Sequence, residues 1–168
     1  MHKRLGILLI IVITIGGCAS LSSKTVSSTE EIAVRAALNG FYESLNAMLR
    51  GDPLPAKDVW SHSEDIAYMG ADGGYQIGWD AMYTDWVKQA KVNIGGKVVH
   101  FDVVVNLGKD IAVTHQLVRG ADAETGSIDN DAFLRASSVF RKENGSWKMI
   151  GHHVDVITAL KEEIDKEK

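Results

Sequence analysis

The chain has 168 residues with 18 basic and 22 acidic side chains, a formal net charge of −4, and one cysteine. That length suits a single domain with one core. The acidic balance, with no Lys/Arg cluster interleaved with aromatics, argues against a nucleic-acid partner, and one cysteine excludes an internal disulfide.

The first residues carry His2, Lys3 and Arg4, followed by an uncharged run from Leu5 to Ile15 that only Gly6 and Thr14 interrupt. This is the basic region and apolar region of an export signal. The run is about half the roughly twenty apolar residues that a helix needs to cross a bilayer core of about 30 Å, so residues 1–17 are expected to be a signal and not an anchor. Ile15-Gly16-Gly17-Cys18 resembles a bacterial lipobox, which implies acylation of Cys18 and attachment to a membrane through the lipid. Ala19, in place of Asp, implies the periplasmic face of the outer membrane if the host is Gram-negative. A thiol committed to lipid can be neither nucleophile nor metal ligand. Without residues 1–17, Lys3 and Arg4 are lost and no acid, leaving 16 basic and 22 acidic side chains and a formal charge of −6.

Residues 18–28 are expected to be the lipidated cysteine and a flexible tether, since Leu21 to Thr29 is rich in Ser and Thr. The domain is expected over 29–158. Thr29 can cap a helix whose first turn holds Glu30 and Glu31. Ile32, Ala36, Leu38, Phe41, Leu45, Met48 and Leu49 then recur near 3.6-residue spacing, predicting one long amphipathic helix up to Gly51. Asp52-Pro53 and Pro55 break it, and Ala56 to His62 predicts a short second helix. Ile66 to Met69 and Tyr75 to Ile77 read as strands about an Asp72-Gly73-Gly74 turn. Trp79, Met82, Tyr83, Trp86, Val87 and Ala90 share one face of a third helix, ending near Gly95-Gly96.

Beyond Gly96 the period becomes two. Lys97 to Asn106, Ile111 to Arg119, Phe133 to Lys142 and Trp147 to Val156 are strand candidates, the middle connection being a polar loop from Gly120 to Asp131. Asn144-Gly145 suits a hairpin turn, because both residues tolerate positive φ. Residues 159–168 read as a charged tail. Helices followed by an antiparallel meander make the fold class α+β, with a curved sheet wrapped around the long N-terminal helix.

The order of elements resembles the NTF2-like superfamily and its SnoaL-like branch. The residues that carry the resemblance are Val59-Trp60-Ser61-His62-Ser63 with Asp65, Tyr68-Met69-Gly70, Asp72-Gly73-Gly74, Gly78-Trp79, and the hairpin from Arg135 through Asn144-Gly145-Ser146-Trp147 to His152-His153-Val154-Asp155. The resemblance implies a cone with a ligand site at its open end, and a homodimer formed through the outer sheet face. It leaves function open, because the superfamily includes isomerases, dehydratases, cyclases and non-catalytic binding modules.

Strand alternation places Trp147, Met149, Gly151, His153 and Asp155 on one face, so an unbulged strand points His153 into the cone and His152 out of it. Acid–base chemistry needs a titratable group in a low-dielectric pocket, and the candidates are His153, Asp65, His115 and Asp155. His153 also reads as a hydrogen-bonded pocket wall, and Asp65 as the cap of a turn. Tyr42, Trp60, Tyr68, Trp79, Arg135 and His153 are candidates to touch a small-molecule ligand: Trp60, Tyr68 and Trp79 as an apolar lining, Arg135 as a partner for an acid or a ligand carboxylate, and Tyr42 and Tyr68 as the hydrogen-bond donors that the resemblance implies. Arg135 facing solvent is the alternative. No metal site is expected, because His152 and His153 point to opposite faces, and no cofactor is expected. The sequence thus predicts a membrane-anchored domain that binds a small, partly apolar ligand, with a cofactor-independent acid–base enzyme or an envelope interaction module as alternatives.

Overall fold

Helix α1 runs from Leu21 to Leu49 in the computed structural model, which describes residues 21–121 and 134–155. The export segment with Cys18, the connection 122–133 and the charged tail lie outside the described residues. The helix takes in the Ser/Thr-rich stretch that composition assigned to a tether. No Gly or Pro occurs between Ala19 and Asn39 to interrupt the backbone ladder, and Ser and Thr cost only a few tenths of a kcal/mol each relative to Ala. Its buried stripe is Val34, Leu38, Phe41, Tyr42 and Met48. Ile32, expected on that stripe, is 68% exposed, because it lies about 200° around the helix from Val34.

Helix α2 (Ala56–Val59) is shorter than expected over Ala56 to His62. Trp60 turns extended and forms a parallel bridge with Met149, and Ser61 N donates to Met149 O at 2.9 Å, so the sheet claims the residues that would have continued the helix. Strands β1 (Ala67–Met69) and β2 (Tyr75–Ile77) form a hairpin closed at Gly73, where φ is +84°. Helix α3 (Trp79–Val92) follows and stops at Asn93, which is left-handed. Strands β3 (Lys97–Leu107), β4 (Ile111–Ala121), β5 (Leu134–Glu143) and β6 (Ser146–Asp155) make the meander, with Asn144 and Gly145 both at positive φ in the last turn.

The six strands form one curved, unclosed sheet in the order β2-β1-β6-β5-β4-β3, parallel only between β1 and β6. Phe41, Trp60, Trp86, Phe140, Met82 and Met149, all fully buried, fill the space between the helices and the inner sheet face. Helix α1 also shields the edge of β3. Asn46 accepts from Val98 N at 2.6 Å and donates to Val98 O at 2.9 Å, while Arg35 donates to Val103 O at 3.3 Å. These side chains take up backbone groups that an open edge would offer to another strand. Glu30 fixes the helix to the β5–β6 hairpin by accepting from Lys142 Nζ (2.6 Å) and Trp147 Nε1 (2.9 Å). Among the described residues no helix is long and apolar enough to cross a membrane.

Two bulges set which side chains face inward. In β3 an extra residue between Phe101 and Val104 coincides with left-handed Asp102 (φ 52°). In β6, Gly151 pairs with Val139 and Met149 with Phe140, so Ile150 is inserted. Trp147 and Met149 point inward before the bulge, and His152 and Val154 after it. The inward placement of His153 and Asp155 expected from simple alternation is therefore reversed. One inserted residue inverts every side chain beyond it.

Candidate functional site

A cavity of about 440 Å³ lies between the C-terminal half of α1, the inner sheet face and the segment after α3. Tyr42, Leu45, Met48 and Leu49 supply one wall from successive turns of α1; Val98, Val118, Val154 and His152 supply the sheet side; Tyr68 closes the end next to β1. Exposed Asp72 and Ile94 mark the mouth. The volume falls in the range of small-molecule sites, and the lining is mainly aliphatic and aromatic with a few polar groups, as such sites require.

Two of them, Tyr42 and His152, are joined through Gln116 and Ser138 by one hydrogen-bonded chain across four elements. Gln116 Nε2 on β4 donates to Tyr42 Oη on α1 at 3.1 Å and to Ser138 Oγ on β5 at 3.0 Å, and Ser138 Oγ lies 2.9 Å from His152 Nδ1 on β6. Ser138 and His152 are direct cross-strand partners, so the sheet register itself brings them together. Burial lowers the His152 pKa to about 3, with a smaller contribution from His153, so the imidazole is neutral at ordinary pH. Burial raises the Tyr42 phenol to about 12 against the opposing hydrogen bond from Gln116, and pushes Tyr68 up as well, with Asp72 adding to the rise. Both phenols keep their protons. Gln116 Oε1 and Thr114 Oγ1 are buried without a partner among the described residues.

At the mouth the Asp72 carboxylate accepts from Gly74 N (3.1 Å) and from Gln89 Nε2 (3.4 Å). A Cβ on Gly70 would come within 2.6 Å of Asp72 Oδ1 and 3.0 Å of Tyr68 Oη, so only glycine lets these two groups approach the turn. His100 stacks on Tyr42 with ring centroids 4.3 Å apart and lies 3.0 Å by Nε2 from Asn39 Oδ1; burial lowers its pKa.

The residues singled out from sequence divide among five places. Tyr42 and Tyr68 line the cavity. Trp60 is 1% exposed and belongs to the solid core, edge-to-face with Phe41, Tyr68 and Trp86. Trp79 stacks between His62 (4.0 Å) and Tyr83 (4.9 Å) and does not reach the cavity. Asp65 is held by Arg141, which donates from Nη1 at 2.7 Å and Nη2 at 3.2 Å, and by Ser63 Oγ at 2.5 Å. Its pKa drops to about 2, chiefly through Arg141 and then Ser63. The Arg141 side chain also reaches Glu143 at 2.9 Å, so Asp65 ties the segment after Trp60 to the β5–β6 hairpin.

His115, His153, Arg135 and Asp155 do come together, but on the outer sheet face, around a separate groove of about 440 Å³ that Asp102 and Ser137 also line. His115 Nδ1 lies 2.9 Å from Ser137 Oγ there. Among the described residues no three His, Cys, Asp or Glu side chains are grouped to hold a metal ion. Sequence reasoning missed His152, Ser138 and Gln116. The available signal was that Thr114, Gln116 and Ser138 are polar residues sharing faces with Ala112, Val118, Ala136 and Phe140, a pattern that marks a polar patch inside an apolar face.

Solved structures with the same fold include a candidate calcium/calmodulin-dependent protein kinase type II association domain from Thiobacillus denitrificans (18% identity, TM-score 0.62, covering 73% of this chain and 94% of that one). A candidate dehydratase of the NTF2-like family from Streptomyces avermitilis is similar at 19% identity and TM-score 0.61, over 77% of this chain and 97% of that one. An NTF2-like protein with a cystatin-like fold from Novosphingobium aromaticivorans matches at 13% identity and TM-score 0.63, over 86% and 92%. At these identities the likeness carries the fold alone. No curated protein matches the sequence. The SnoaL-like domain family matches residues 34–158, from Val34 in α1 to just past β6, and the chain is a member of that family, with the NTF2-like cone fold.

Proposed function

We propose that this domain binds a small, mostly apolar molecule in the cone, and that it does so in the cell envelope, held to a membrane by lipid on Cys18. The observation that carries the binding reading is the mainly apolar cavity of about 440 Å³, lined by Tyr42 and His152, the two ends of one hydrogen-bonded chain. A folded core without a binding role closes such a space, because unfilled volume costs stability. Titration with N-phenyl-1-naphthylamine, an uncharged apolar fluorophore, is the test. Saturable one-to-one binding is expected in the wild type and its loss in Leu49→Trp, which fills the mouth. A folded wild-type protein that shows no saturable binding would overturn the reading. Radiolabelled palmitate incorporation that disappears in Cys18→Ser tests the anchor separately. The outer face, with Val104 57% exposed beside the His115–His153 groove, is where we place a homodimer contact; sedimentation that is independent of concentration and fits a monomer would refute it.

One observation favours a second reading, acid–base catalysis. Asp72 is the sole carboxylate among the described lining residues, and it stands at the mouth near Tyr68. His152, with its pKa near 3, is too weak a base for this work at neutral pH. In this reading Asp72 takes the proton, and Asp72→Asn abolishes solvent-deuterium exchange into a bound ketone while leaving its affinity in place.

A further inference from the structure

We propose that the cavity takes an amphiphile with a protonated primary amine, its apolar body inside and its ammonium group at the mouth, hydrogen-bonded to Asp72 and to the side-chain oxygen of Gln89. This inference rests on the binding reading above and adds the polar end of the ligand.

Hydrogen-bond direction at the mouth carries it. Gln89 Nε2 lies 2.8 Å from Asp85 Oδ2 and 3.4 Å from Asp72 Oδ2. A carboxylate only accepts, so both contacts take amide protons, and Nε2 has two to give. The amide is thereby fixed with its nitrogen toward the two acids. Its oxygen, on the same carbon, has no partner among the described residues and stands within a few ångström of Asp72. Asp72 Oδ1 accepts from Gly74 N at 3.1 Å, and each of its carboxylate oxygens keeps a second lone pair. Asp72, Gln89 and Tyr68 border the same cavity. The mouth therefore offers acceptors and negative charge.

That charge is not balanced from inside the cavity. Arg119 also borders it, but Arg119 alternates with Val118 along β4 and so faces the other side of the sheet, where its guanidinium lies 4.2 Å from the Phe101 ring centroid. Burial keeps the His152 imidazole neutral. Asp85 adds to the field of Asp72, since both acids push the Tyr68 phenol up. A primary ammonium meets these groups with a positive charge and three N–H donors. A carboxylate head would meet two like charges, and an alcohol brings one proton and no charge.

The test displaces bound N-phenyl-1-naphthylamine with three chains of equal length: octylamine, which like the lysine side chain is protonated at pH 7, 1-octanol and octanoate. At low ionic strength wild type is expected to bind octylamine about five-fold tighter than octanol, the size that an exposed ion pair supplies, and octanoate more weakly than octanol. Salt at about 0.5 M is expected to shrink the preference. In Asp72→Asn, whose side-chain oxygen still accepts from Gly74, the ratio of the octylamine and octanol constants is expected to fall to near one. Octylamine binding no tighter than octanol in wild type, or a ratio that survives in Asp72→Asn, would overturn this inference alone. Failure of N-phenyl-1-naphthylamine itself to bind would overturn the binding reading together with it.

Discussion

His152 makes the stability of this domain depend on pH in a window where few other groups act. Its pKa is about 3 in the folded protein against 6.5 for the ordinary side chain. Because the folded value is the lower one, the unfolded chain binds the proton first as pH falls. The contribution of the neutral imidazole is intact above pH 6.5 and is lost progressively between pH 6.5 and pH 3. Lowering the pH from 7 to 5 should therefore cost about 2 kcal/mol from this residue, which for a domain of this size moves the urea midpoint by roughly 1 M. Carboxylates do not confound the window. Asp65 and Glu30, both with lowered pKa values, withdraw their contributions only below their unfolded values near 4. His100 is shifted in the same direction as His152 and adds to the slope. The assay is urea denaturation at pH 7 and pH 5 of wild type and His152→Asn, whose side-chain oxygen can still accept from Ser138. The variant is expected to be less stable at pH 7, since it loses the ring packed 4.5 Å from Phe41, but to lose much less on acidification. If it retained the full wild-type slope, the assignment of that slope to His152 would be wrong.

Three other perturbations follow from the architecture. Asn46→Ala removes both hydrogen bonds to Val98 and should lower stability by about 2 kcal/mol, with faster amide exchange along β3; unchanged exchange at Val98 would count against α1 as the guard of that edge. Phe140→Ala, at a fully buried site, should cost about 3–5 kcal/mol by calorimetry or urea melt, and a cost below about 1 kcal/mol would mean that the core is looser than the packing indicates. Gly145→Ala meets no atoms within 4 Å, yet φ is +85° there, so the expected loss of about 1 kcal/mol is purely conformational; a neutral result would show that the turn relaxes.

Local pattern carried most of the fold. The 3.6-residue spacing of Leu38, Phe41, Leu45 and Met48, the two-residue period after Gly96 and the Asn144-Gly145 turn each reflect forces within a few residues of one another, and each element formed where they placed it. Trp60 shows the limit. Nothing near it in sequence stops helix α2, and what does is a bridge to Met149, far along the chain.

The site fared differently from the fold, and at the end of β6 one inserted residue is the reason. Tyr42 and Tyr68 reach the cavity as read, but His153 and Asp155 point outward and His152 inward because Ile150 is bulged out of the β5–β6 ladder. Sequence by itself determined the element types and the turn residues, set by short-range periodicity and composition, and its motifs from Val59 to Asp155 carried the resemblance to an NTF2-like cone. Only the tertiary structure decided which histidine is buried, since a bulge depends on how strands pair and not on the residues of one strand, and a shift of one residue moves a side chain to the opposite face.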